Sequence, residues 1–240
     1  MTRKVYFTVL IAGVLVLWAA LAISPYDRSD WLLENALLVA GAAFLIGTRR
    51  ALPLSGISYT MILLFMCMHI VGAHFTYAEV PYDVAFQRVT GHSFNQLVGW
   101  KRNNYDRVVH FSYGLLLAYP IRELFLRVAN VRGFWGYFLP LDLTMSSSML
   151  YELIEWLSAV WFGAGLGTAF LGSQGDEWDA QKDMALASLG ALIAMVATAL
   201  VNAIYQRDFA REWVESLRIK HNRPLGEDAL GRMQAGESKL

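Results

Sequence analysis

Cysteine is nearly absent from this sequence: Cys67 is the single one among 240 residues. That excludes a disulfide framework within the chain and says nothing of the redox compartment. Charge is scarce too. Asp, Glu, Lys and Arg make up 17% of the residues, where soluble domains carry about a quarter. The formal net charge is zero, from 20 basic and 20 acidic residues, so no electrostatic case exists for nucleic acid as a partner. Internal repeats are missing, and no linker separates two cores. Residues 1–223 therefore read as one domain, and 224–240 as a flexible charged tail.

What fills the space is apolar. Hydrophobic residues reach 56%, aromatics 13%, and the mean hydropathy is +0.37. The apolar residues come in blocks near the length that about 30 Å of hydrocarbon demands, roughly 20 residues at 1.5 Å each. The blocks are 5–23, 31–47, 57–75, 108–126, 134–162 and 184–205. Backbone groups in hydrocarbon must be satisfied within the segment, so each block is expected to be a helix. The expected fold class is all-α: a polytopic membrane helical bundle of about six transmembrane helices, plus a C-terminal amphipathic helix. No leader-cleavage pattern follows the first block, which is read as a retained helix.

Basic residues orient the bundle. Arg3, Lys4, Arg49, Arg50, Arg127, Arg132, Arg207, Arg211 and Arg218 fall on one side of six spans. The expected topology is N-in and C-in, in a bacterial inner membrane, with the two long loops outside. In the C-terminal stretch, Phe209, Trp213 and Leu217 recur every four residues among basic ones. That pattern suits a helix lying on anionic lipid, or an extension of the sixth span.

Ionisable residues within spans are costly and need a reason. They are expected to gather at the outer ends of spans three to six. His74 closes the third block, with Glu79 and Asp83 just beyond; these are candidate pocket residues, together with Glu152 and Glu155 in the fifth block. Asp106, Arg107 and His110 open the fourth block, with Asp106 and His110 one helical turn apart. Asp176, Asp179 and Asp183 precede the sixth block at i, i+3, i+7, a spacing that puts three carboxylates on one helix face. Such a gathering must pair, share protons or hold a cation. Carboxylates with one or two imidazoles suit Mg²⁺, Mn²⁺, Ca²⁺ or Zn²⁺, with Glu152, Glu155, Asp176, Asp179 and Asp183 as candidate metal ligands.

Each group has a plainer reading. Glu152 and Glu155 would tie helices together by hydrogen bonds, and Asp176 and Asp179 would cap the sixth helix. His69 would be a packed or hydrogen-bonded core histidine. Arg122 and Glu123 would snorkel and pair. Ser146, Ser147 and Ser148 would permit close helix packing. Spans one and two look like plain apolar support.

Four stretches carry a resemblance: His-Phe-Thr-Tyr-Ala-Glu-Val-Pro from His74, Asn-Tyr-Asp-Arg-Val-Val-His-Phe from Asn104, Tyr-Glu-Leu-Ile-Glu-Trp from Tyr151, and Gly-Ser-Gln-Gly-Asp-Glu-Trp-Asp-Ala-Gln-Lys-Asp-Met from Gly172. In this order they resemble the bacterial inner-membrane YjdF family, catalogued as a domain of unknown function. The resemblance implies a membrane location and a multi-span helical fold, with no established activity. A looser likeness is to VanZ-like membrane proteins, which open one helix with Asp-Lys/Arg-x-x-His-Phe and carry a Glu in the next. The counterparts here would be Asp106, Arg107, His110, Glu152 or Glu155, and Asp179 or Asp183. That likeness implies cell-envelope work at the outer face.

Three functions follow as expectations. One is an enzyme on a lipid or lipid-linked envelope ligand. A divalent cation and Arg107 would engage a phosphate or ester, His110 would be general acid or base, and Asp106 would orient it. The Asp-Gly…Ala-Arg pattern of CDP-alcohol phosphotransferases is absent. The second is an ion- or proton-coupled transporter. The third is a non-catalytic membrane scaffold whose polar network sets helix packing. Membrane lipid is the expected partner in all three.

Overall fold

The computed structural model describes residues 3–162, 174–220 and 225–234, and all regular structure in them is helical. The long helices are α1 (Arg3–Leu21), α2 (Arg28–Thr48), α3 (Gly56–His74), α6 (Tyr105–Val128), α7 (Trp135–Phe162) and α8 (Asp179–Tyr205). Shorter ones are α4 (Tyr82–Thr90) and α5 (Phe94–Val98) in the long loop, and α9 (Phe209–Ser216) and α10 (Leu225–Gln234) at the C-terminal end. Among the described residues, three helices are long and apolar enough to cross a membrane: α2, α3 and α8. The apolar stretch of α1, Val5–Leu21, is slightly shorter. At 24 and 28 residues, α6 and α7 are ~36 and ~42 Å long, but they carry polar side chains.

The helices start where local chemistry allows. Asp27 caps α2 by accepting from the Ser29 and Asp30 amides, and Ser55 caps α3 by accepting from Ser58. Helix α6 begins three residues before the expected apolar block, and α8 five before. Asp106 and Asp179 lie in those first turns, where a carboxylate favours the positive end of the helix dipole. Hydropathy alone leaves such turns outside the helix.

The central contact is α6 on α8, two parallel helices in near-backbone contact. A Cβ at Gly114 would run into the Ala187 carbonyl, and one at Gly190 into the Phe111 carbonyl. Small residues bring membrane helices together in this way. Below that crossing, Ala118, Tyr137, Ala191, Ala194 and Met195 form the apolar core, with α7 packed on both helices. Helix α1 leans on α3, and α2 packs chiefly against α3. Large apolar side chains face outward around this body, such as Val16 at 70%, Val39 at 60% and Leu200 at 60% exposed. In water such a belt would be a liability; against lipid it is the favourable surface.

Three expectations change. Helix α9 is neither an extension of α8, which ends at an extended Gln206, nor a helix with its aromatics turned to lipid. Phe209 and Trp213 pack against Tyr137, and Trp213 also meets Phe134 edge to face, closing the end of the bundle. Arg122 and Glu123 do not pair: Arg122 lies over the Tyr137 ring at 4.6 Å, and Glu123 accepts from Ser55, Ser58 and Arg127. The closest helix approach is at Gly114 and Gly190, while of the serines Ser148 is packed at 2% exposure, as expected, and Ser147 hydrogen-bonds Tyr113 at 2.6 Å. Within the expected tail, residues 225–234 are helical.

Candidate functional site

The parallel run of α6 and α8 sets their N-terminal turns side by side. The first turns supply Asp106 and His110 from α6, Asp179 and Asp183 from α8, and the far half of α7 supplies Glu152 and Glu155. One ligand atom each from Asp106, His110 and Asp183 falls within 4.8 Å of the others, so the three form a group that could hold a metal ion. His110 Nε2 lies 3.5 Å from Asp106 Oδ1 and 3.5 Å from Glu152 Oε1. Asp183 is 2% exposed, His110 7%, and Glu152 and Glu155 8% each. Two carboxylate oxygens here, Glu152 Oε1 and Asp183 Oδ1, are buried with no hydrogen-bond partner among the described residues. Glu155 sits in the same field, interacting electrostatically with Asp106, Glu152 and Glu34.

The cations nearby are committed elsewhere. Arg107 binds Asp176 at 2.5 Å and Asp179 at 3.0 Å, Arg102 also bonds Asp179, and Lys182 binds Asp176 at 2.5 Å. These bonds form a lid of ion pairs above the buried group. Lys182, the Trp178 amide and Arg107 hold the Asp176 carboxyl well below the usual carboxylate range. Asp176 also accepts from the Trp178 amide in an Asx turn, two residues before the N-cap position that Trp178 holds.

Several residues singled out in the sequence are placed elsewhere. Asp176 and Asp179, read as metal ligands, are taken up by guanidinium and ammonium groups; Arg107, read as a phosphate binder, is taken up by them in return. His74 Nδ1 bonds the Leu21 carbonyl at 2.7 Å and ties α3 to α1. Asp83 accepts from Ser93 and the Asn95 amide and joins α4 to α5. Glu79 is solvent-exposed. The four groups brought to one point are Asp106, His110, Glu152 and Asp183.

One half of the site was missed. Helix α2, read as plain support, buries Asp30 at 2%, Glu34 at 3% and Asn35 at 7% exposure. Glu34 accepts from Tyr151 Oη at 3.3 Å. Its backbone carbonyl lies 3.1 Å from His69 Nε2, so that nitrogen carries the proton. His69 Nδ1 then accepts from Tyr77 Oη at 2.5 Å. Thus His69 is a hydrogen-bonded core histidine, as its position suggested. The signal in the sequence was Asp30 and Glu34 one turn apart at the mouth of an apolar block, the same spacing as Asp106 and His110.

A cavity of about 500 Å³ adjoins the cluster, between α2, α3, α6 and α7. Asp106 and His110 line its polar end, with His69, Tyr77 and Tyr151; its remainder is almost wholly apolar.

Comparison with known proteins agrees with this architecture. A family model described as "Predicted membrane protein (DUF2238)" matches residues 6–203. The chain is similar to the inner membrane protein YjdF of Escherichia coli (strain K12), 36% identical over 213 residues, covering 87% of this chain and 98% of that one. No solved structure matches.

Proposed function

The chain belongs to the family of predicted membrane proteins DUF2238, and from that premise we propose that it is a cation-binding protein of the bacterial inner membrane. The ion is a divalent metal held by Asp106, His110 and Asp183, with Glu152 beside them. The site serves to bind, or to act on, a lipid or lipid-linked ligand of the cell envelope. One observation carries this reading: among the described residues, two buried carboxylate oxygens beside His110, Glu152 Oε1 and Asp183 Oδ1, have no hydrogen-bond partner, while the terminal nitrogens of Arg107 and Lys182 are directed at Asp176 and Asp179. A buried carboxylate group without a cation is strongly unfavourable, and a metal ion supplies the missing charge and the missing contacts together. Three oxygen ligands and one imidazole suit Mg²⁺, Mn²⁺ or Zn²⁺.

The wider frame is part of the proposal. Six membrane crossings, by α1, α2, α3, α6, α7 and α8, put both termini on the cytoplasmic side, because Arg49, Arg127 and Arg207 then share that side. The cluster then lies just below the periplasmic surface, where an envelope ligand arrives.

Thermal unfolding of the full chain in detergent tests the cation. Protein stripped with a chelator should melt lower than untreated protein. Cation restored at about 100 times its Kd should return about 2.7 kcal/mol. Asp183→Asn should not respond to the same addition. A stripped wild type that melts as before and ignores Mg²⁺, Mn²⁺ and Zn²⁺ would remove the proposal.

A further inference from the structure

The apolar cavity beside the cluster has a shape that the cation alone does not explain. Along α6 its lining runs from Asp106 to Leu124, ~27 Å at helical rise. That is most of the ~30 Å hydrocarbon thickness. On α2 it takes in Leu38, Gly41 and Phe44, and on α7 Tyr151 and Ile154. At its outer end α2 and α7 are joined through Glu34 and Tyr151. Inward of that bond, the two helices are not packed on each other; both lean on the elements between them, α2 on α3 and α7 on α6. The result is a slot, floored by α3 and α6 and open sideways between α2 and α7. Its volume is in the range of ligand pockets, about 300–1,000 Å³.

Two features say what fills it. The lining residues Leu37 and Phe44 on α2 and Leu150 and Ile154 on α7 are exposed apolar side chains, so with these helices as spans the slot opens to hydrocarbon and its occupant is apolar and long. Its outer end is formed by Asp106 and His110, two of the three residues of the candidate metal group. An occupant lying in the slot therefore presents its polar end at that group.

We propose that the α2–α3–α6–α7 slot binds one long hydrocarbon chain of a membrane lipid, admitted between α2 and α7, with the lipid headgroup set at Asp106 and His110. This rests on the cation reading for the headgroup and stands without it for the chain. The slot then selects lipids by chain and depth, and the metal group meets only those headgroups whose chains are seated. Gly41 is where the slot is most readily filled: a Cβ there meets only Met66 Cε at 3.8 Å, so a larger side chain has room to project.

The test uses full-length protein extracted from bacterial membranes, washed in detergent, with co-purifying lipid identified by mass spectrometry and metal measured on the same sample. Wild type should retain about one lipid per chain. Gly41→Leu and, independently, Leu117→Trp should lower that retention about tenfold, as added bulk in a hydrophobic pocket does, with metal content unchanged. Circular dichroism and gel filtration identify a variant that has not folded, and the other then decides. Wild type without lipid, or folded variants that retain lipid fully, would overturn the slot while leaving the cation reading intact. Metal-free wild type that still loses lipid in both variants would support the slot and overturn the cation reading.

Discussion

At the scale of the residue, two kinds of carboxylate stand within one cluster. Asp176 lies partly exposed among Lys182, Arg107 and the Trp178 amide, and Asp183 lies buried with an oxygen that no described residue hydrogen-bonds. They are expected to answer differently to the same change. Asp176→Asn should leave bound metal in place, whereas Asp183→Asn should abolish it. Elemental analysis of both variants, purified alike, makes the comparison. Asp176 also carries a pH dependence. Its folded-state pKa lies below the ordinary value of 3.8, so the stability it contributes is complete above that value and is lost as pH falls further. Wild type should therefore lose melting temperature more steeply below about pH 4 than Asp176→Asn does, as read by thermal melts from pH 6 to pH 3. Equal slopes would place the acid sensitivity elsewhere.

The residue scale also shows what spacing could and could not convey. Asp106 and His110 at i, i+4 were legible as a pair because a helical start at Tyr105 makes them neighbours. Glu152 joined them because its span must run beside theirs. Asp30 and Glu34 had the same spacing, but their span was read as plain apolar support. The burial of Glu34 and its contact with Tyr151 show that it faces inward. His74, Asp83 and Asp179 were placed by depth, and depth does not say which way round the helix a side chain points. Their partners, Leu21, Ser93 and Arg102, come from distant positions in the chain.

At the scale of the element, the α6–α8 contact governs the site, since it alone sets Asp106 beside Asp183. Gly114 and Gly190 face backbone carbonyls of the opposite helix, so any side chain there must push the helices apart. Gly190→Val should cost about 1–3 kcal/mol of stability by overpacking and should lower metal retention with it. A parallel measurement on Gly41→Ala, where the new methyl has room, should show neither loss. Helix α9 offers a second case. Trp213 packs between Phe134, edge to face, and Tyr137, tilted, with ring centroids 5.5 Å from each. Trp213→Ala should lower stability by about 2 kcal/mol and leave the cation site, at the other end of α8, unaffected. The four-residue recurrence of Phe209 and Trp213 was visible in sequence, but period identifies only that a face is apolar. Whether lipid or protein covers it depends on the turn at Gln206, which folds α9 back against α7.

At the scale of the whole molecule, the helical fold and the membrane setting were the most legible features, because backbone satisfaction in hydrocarbon leaves few alternatives. Segment ends were less so: the first turns of α6 and α8 are polar, and they are the turns that carry the site. The asymmetry expected of the chain is reflected in its layout. Buried acids and imidazoles collect near the starts of α6 and α8, while Ala118, Ala194 and Met195 pack further along the same helices. A reporter fused after Leu240 should be active only on the cytoplasmic side if both termini lie within. The decisive measurement is the metal content of the intact protein, purified from membranes without chelator and counted per chain by elemental analysis. About one divalent ion per chain is expected in wild type and in Asp176→Asn, and none in Asp183→Asn or Glu152→Gln. Wild-type protein that is folded, monodisperse and free of metal would contradict the cation site at its root.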